Sequence, residues 1–165
     1  MRFAGLGVIV MLGLMGPSAA AAETSSFMRL FVAGGSAAGS TVSRSLGEFG
    51  GQFGRGNGAV ARGWSISLAA FDAADDDPLP MLSTEAFVQY RLWEDRSVSV
   101  SCSGGAGVSV VFVVPFPALH ISTAIELPIQ DGFVVDMGFH TRAIFDPYSE
   151  SEGAVMSTVQ LGLSF

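Results

Sequence analysis

Val155-Met156-Ser157-Thr158-Val159-Gln160-Leu161-Gly162-Leu163-Ser164-Phe165 closes the chain, and its alternation decides the fold. The odd positions carry Val, Ser, Val, Leu, Leu and Phe, and the even ones Met, Thr, Gln, Gly and Ser. A period of two kept over about ten residues has the length and pattern of a tilted strand that crosses a bilayer, one face to lipid and the other to a polar interior. The stretch ends on Phe165, an aromatic of the kind that sits at a membrane interface.

The opposite end of the chain has the parts of an export signal in their usual order. Arg2 supplies the positive charge, Phe3 to Met15 an uncharged apolar run, and Gly16-Pro17-Ser18 a helix breaker before the small residues Ala19 to Ala22. Residues 1–22 are expected to be a cleaved signal peptide and residues 23–165 the mature domain. The apolar run is too short for a membrane anchor, since a helix needs about 20 residues to span the hydrocarbon. No cysteine follows it to accept a lipid.

The chain is 49% hydrophobic and 14% charged. Beyond the leader no apolar run reaches helical spanning length, so any crossing must be made by strands closed into a barrel. The formal net charge of −7 and the absence of lysine argue against nucleic acid as a partner. Cys102 is the single cysteine, falls on the apolar parity of an expected strand, and is read as a small hydrophobe rather than a reactive thiol.

Turn signals divide the rest into segments of consistent parity. Strands are expected at Phe27 to Ala33, Gly63 to Phe71, Thr84 to Trp93, Ser97 to Val114, Leu119 to Leu127, Phe133 to Phe145 and Val155 to Phe165. The fifth of eight should carry a kink or bulge at Gly104 to Gly107, and Pro115-Phe116-Pro117 should break it from the sixth. Gln130-Asp131-Gly132 is a hairpin signal. Asp72 to Ser83 and Asp146 to Gly153 read as polar loops, which puts short turns at one end and long loops at the other. The glycine-rich segment 35–62 holds either a bulged second strand or a flexible stretch folded into the lumen. Eight strands of about 9 to 11 residues fit one domain of this length, so the expected fold class is all-β: an antiparallel up-and-down transmembrane β-barrel.

Charge placement is an independent check. With the apolar parity facing lipid, Arg29, Glu85, Arg91, Glu126, Asp136, His140 and Arg142 all point inward, together with Gln89, His120, Ser122, Phe27, Phe31 and Phe87. An eight-stranded barrel is only wide enough to be filled by side chains, and an unpaired charge there is costly. The three arginines should therefore meet Glu85, Glu126 and Asp136 in ion pairs that leave no open pore, Arg142 with Asp136 or Glu126, and His140 should be a partner for Asp136 or Glu126. Tyr90, Trp93 and Phe165 are expected at one interface, and Phe71, Phe145 and Tyr148 at the other.

The leader, the alternating segments, the hairpin composition and the terminal Phe165 together resemble the small outer-membrane β-barrel superfamily typified by the transmembrane domain of outer membrane protein A. The resemblance implies a bacterial outer-membrane location, outer-membrane lipid as the surroundings, and recognition of the C-terminal strand with Phe165 by the barrel-assembly machinery. Members serve as structural barrels, adhesins, narrow channels or lipid-modifying enzymes, so the fold leaves function open.

A non-enzymatic surface barrel working through its loops is the leading expectation, with a role in adhesion or envelope integrity. A narrow passage for small molecules is the second. The third is an enzyme: His120-Ile121-Ser122 resembles the His-x-Ser of a barrel that deacylates lipid A. Here Thr123 stands where that motif has Asn, and the pair points to the lumen rather than to lipid. Asp72, Asp75, Asp76 and Asp77 invite calcium, but their spacing matches no EF-hand. No cofactor and no metal site are expected. A soluble sandwich or lipocalin-like barrel would alternate too, but with its charges outside.

Overall fold

The computed structural model describes residues 25–39, 43–72, 78–95, 97–130, 132–146 and 153–165. The expected leader, Asp75 to Asp77 of the acidic run, and Tyr148 lie outside the described residues.

Eight strands follow one another: β1 (Ser25–Ala38), β2 (Ser43–Gly56), β3 (Val60–Phe71), β4 (Leu79–Glu94), β5 (Ser99–Val111), β6 (Val114–Gln130), β7 (Phe133–Phe145) and β8 (Gly153–Ser164). Each pairs antiparallel with its neighbours in sequence, and β1 pairs with β8 to close the barrel. The seam runs from Arg29 opposite Ser164 to Ala38 opposite Val155, and Met28 and Phe165 exchange both backbone hydrogen bonds at 2.9 Å. Closure leaves no strand edge unpaired. At the terminal end, which holds Ser25 and Phe165, β2 gives way to β3, β4 to β5 and β6 to β7; at the other, the loop end, β1 gives way to β2, β3 to β4, β5 to β6 and β7 to β8.

Within the glycine-rich segment 35–62, β1 continues to Ala38, β3 begins at Val60, and between them β2 is an ordinary strand whose register with β1 runs unbroken from Ser25 opposite Gly56 to Ala38 opposite Ser43. Expected breaks move elsewhere in two places. Gly104 to Gly107 pair in continuous register with both β4 and β6, and the irregularity near them falls between Arg91 and Trp93 of β4. Pro115 and Pro117 lie inside β6 on its outward parity; the chain reverses earlier, at Phe112 and Val113, with φ of 48° and 66°. The loop end is therefore not uniformly long: β5 and β6 meet there in a tight turn that leaves Val113 92% exposed.

The barrel is inside-out relative to a soluble protein. Large apolar residues such as Leu30, Phe49, Trp64, Ile121, Phe139 and Leu161 are exposed on its outer face, while Arg29, Glu48, Glu85, Glu126, Asp136 and Arg142 are buried within. That is the distribution required of a strand bundle facing lipid. Phe145, Tyr90, Trp93 and Phe165 are outward and exposed. Phe71 corrects the expectation for the loop-end girdle: it turns inward, 8% exposed, and packs with Leu46, Ala69, Met81, Ala118, Ile144 and Met156 in an apolar layer across the loop end of the lumen. The reason is parity, since Ser65, Ser67 and Ala69 before it are buried on the same face of β3.

Candidate functional site

Beneath the apolar layer the lumen holds two polar clusters. In the first, at mid-barrel, Arg142 on β7 reaches across the interior: its Nε donates to Glu85 Oε1 at 2.6 Å, and its Nη2 to Glu48 Oε1 at 3.0 Å and to Ser67 Oγ at 3.3 Å. Glu85 Oε2 lies 2.8 Å from His120 Nδ1, and the His120 and His140 rings meet edge to face at 5.1 Å. Gly105, opposite His120 in the β5–β6 register, makes this possible, because a Cβ there would collide with the imidazole.

The second cluster lies at the terminal end and centres on Glu126. Its Oε1 accepts from Arg29 Nη2 at 3.0 Å, Gln89 Nε2 at 2.7 Å and Ser101 Oγ at 3.0 Å; its Oε2 accepts from Ser99 Oγ at 3.0 Å and stands 3.7 Å from Arg91 Nη2. Arg29 Nε sits 3.0 Å from Asp136 Oδ2 and 2.9 Å from Ser164 Oγ, with Nη1 3.3 Å from Gln52 Oε1. Arg91 also bridges to Glu94 at 3.1 Å, nearer solvent. A cavity of about 330 Å³ opens from this end, lined by Arg29, Gln89, Arg91 and Glu126 among others.

The seven lumen residues named from the sequence thus divide between two levels, and two of the pairings differ from expectation. Arg142 meets Glu85 and Glu48, not Asp136 or Glu126; Asp136 pairs with Arg29. His140 meets His120 edge to face in the mid-barrel cluster rather than joining Asp136 or Glu126. Glu48 was missed altogether. The signal for it was present in Leu46, Glu48 and Gln52 alternating with Phe49 and Phe53, but the surrounding glycines blur that parity.

Three guanidinium groups, on Arg29, Arg91 and Arg142, face four carboxylates, on Glu48, Glu85, Glu126 and Asp136, and the surplus carboxylate is at mid-barrel beside the two histidines. Glu85, His120 and His140 offer donor atoms within 4.8 Å of one another, all buried. Arg142 lies against that same carboxylate, however, and its charge opposes a metal ion there. Ser122 Oγ bonds Ser103 Oγ at 2.7 Å while the His120 imidazole contacts Glu85, and both residues face the lumen.

The fold is that of the small eight-stranded outer-membrane β-barrels. Neisserial surface protein A matches with a TM-score of 0.66 and 11% identity, over 86% of this chain and 99% of that one. The outer membrane enzyme PagL matches with a TM-score of 0.59 and 13% identity, over 81% of this chain and 97% of that one. At such identities the likeness is one of fold. No protein-family model matches the chain, and no curated protein does. As in an outer-membrane barrel of this size, the interior is narrow enough for side chains from opposite walls to meet: Arg142 of β7 touches Glu48 of β2.

Proposed function

We propose that the chain is exported, resides in the bacterial outer membrane, and acts there as a non-enzymatic scaffold with a closed lumen that presents its loop end at the cell surface, in adhesion or envelope integrity. One observation carries this: above the cavity at the terminal end, side chains from opposite walls fill the lumen. Phe71, Met81 and Met156 seal the loop end, Arg142 with Glu85 and Glu48 spans the middle, and Arg29 with Glu126 and Asp136 crosses below. Moving these groups aside to open a path would leave buried charges unpaired. Functional variation is then left to connections 72–78 and 146–152 and to the exposed tip at Phe112 and Val113, held on a rigid wall.

The test is threefold. Purified barrel in planar bilayers should give no steady single-channel conductance, and incubation with lipid A should release no fatty acid. Stable conductance sensitive to Arg91 or Arg142 would make it a pore, and fatty-acid release abolished by Ser122→Ala would make it a deacylase. Cell fractionation should recover the protein with outer membranes, migrating faster on gels when unboiled; release by osmotic shock would overturn the location.

A further inference from the structure

Among the described strands, only two charged residues sit on the outward parity, and they are Arg55 of β2 and Arg62 of β3. They stand directly opposite one another in the β2–β3 register. Both are exposed, and among the described residues neither has a carboxylate partner. Arg55 shares its face with Phe53, and Arg62 with Trp64, the two aromatics paired one outward row further from the terminal end. Tyr90 flanks the pair on β4, beside Val60.

Like charges directly opposite on adjacent strands repel, and a charge on the lipid face of a barrel is tolerated only close to an interface. Every other strand-borne charge in the barrel obeys the inward rule, so two exceptions of one sign on neighbouring positions call for an anion between them. Guanidinium pairs bind phosphate oxygens with charge-assisted, geometrically matched hydrogen bonds. Aromatic residues beside them fit the level where headgroups meet acyl chains.

We infer that Arg55 and Arg62 form a binding site for the phosphate of a phospholipid headgroup on the outer wall of the barrel, with Phe53 and Trp64 against the upper acyl chains. The inference rests on the membrane-spanning reading above. In that orientation the pair lies at the periplasmic level, facing the inner leaflet. The same chemistry would accept free phosphate, and the apolar flank favours the lipid.

Full-length barrel refolded in detergent is mixed with phosphatidylglycerol, with diacylglycerol of the same chains, or with inorganic phosphate, and retained ligand is measured by native mass spectrometry. Phosphatidylglycerol should be retained, diacylglycerol should not, and Arg55→Gln with Arg62→Gln should lower retention about tenfold or more, whereas the double lysine variant should keep part of it. Equal retention by the wild type and the glutamine variant would overturn the site. Retention of inorganic phosphate in place of lipid would overturn the lipid assignment, as would equal retention of diacylglycerol. Heat-modifiability and insertion into vesicles are followed for each protein. A wild-type chain that fails to insert defeats the membrane reading itself, while an inserted barrel without arginine-dependent retention defeats only this site.

Discussion

Gly162 on β8 stands opposite Asp136 on β7, and a Cβ at Gly162 would lie 2.6 Å from both oxygens of that carboxylate. The missing side chain at this one position on the inner face of the closing strand is what lets Asp136 lie back and meet Arg29 at 3.0 Å. Gly162→Ala should therefore displace the carboxylate and weaken the barrel by about 1–3 kcal/mol, the usual cost of overpacking. Gly34, on the outward face of β1 with open space around it, is the control: Gly34→Ala should be close to neutral. Urea unfolding of the two variants in lipid vesicles measures both; equal midpoints would refute the role given to Gly162.

Arg142 is the second case. Arg142→Met leaves Glu85 and Glu48 buried without their cation and should cost about 3–5 kcal/mol, as for other broken buried ion pairs. A double-mutant cycle with Glu85→Gln should show strong coupling, and one with Asp136→Asn little, because Asp136 belongs to the other cluster. The outward Met137→Leu should change stability hardly at all.

The β5–β6 turn carries Phe112 and Val113 at positive φ, a conformation costly for bulky and β-branched residues. Replacing them by Asn-Gly, the preferred pair for a two-residue hairpin, should raise stability by about 1 kcal/mol or more. Unfolding midpoints in vesicles check this; a loss of stability would mean that the exposed side chains make contacts that outweigh the backbone.

Phe165 seals the seam. Its backbone exchanges two hydrogen bonds with Met28, and its ring lies 6.3 Å from that of Phe133. Deleting it, or substituting a charged residue, should reduce assembled, heat-modifiable protein in cells while export continues. Wild-type amounts of assembled barrel after the deletion would remove Phe165 from the assembly signal.

Alternation along Val155 to Phe165, and again along β4, β6 and β7, determined from sequence alone that these segments are strands, which face is polar, and that the charges converge inside. The physical reason is that a strand's side chains alternate with a period of two, so residue type along one segment reports its face without reference to any other segment. Pairing across the barrel carries no such local signature. Which level of β7 meets which level of β2 depends on strand stagger summed around the closed sheet, so only the tertiary structure joined Arg142 to Glu48 and Glu85 and sent Asp136 to Arg29. The glycines of β2 hid its parity because they carry no side chain, and with it the outward Arg55; Arg62 fell just before the expected start of the next strand at Gly63, whereas that strand begins at Val60. Phe71 divides differently: its type fits an interfacial girdle as well as a core, the parity it shares with Ser65, Ser67 and Ala69 turns it inward, and only the closed barrel sets Met81, Ile144 and Met156 around it.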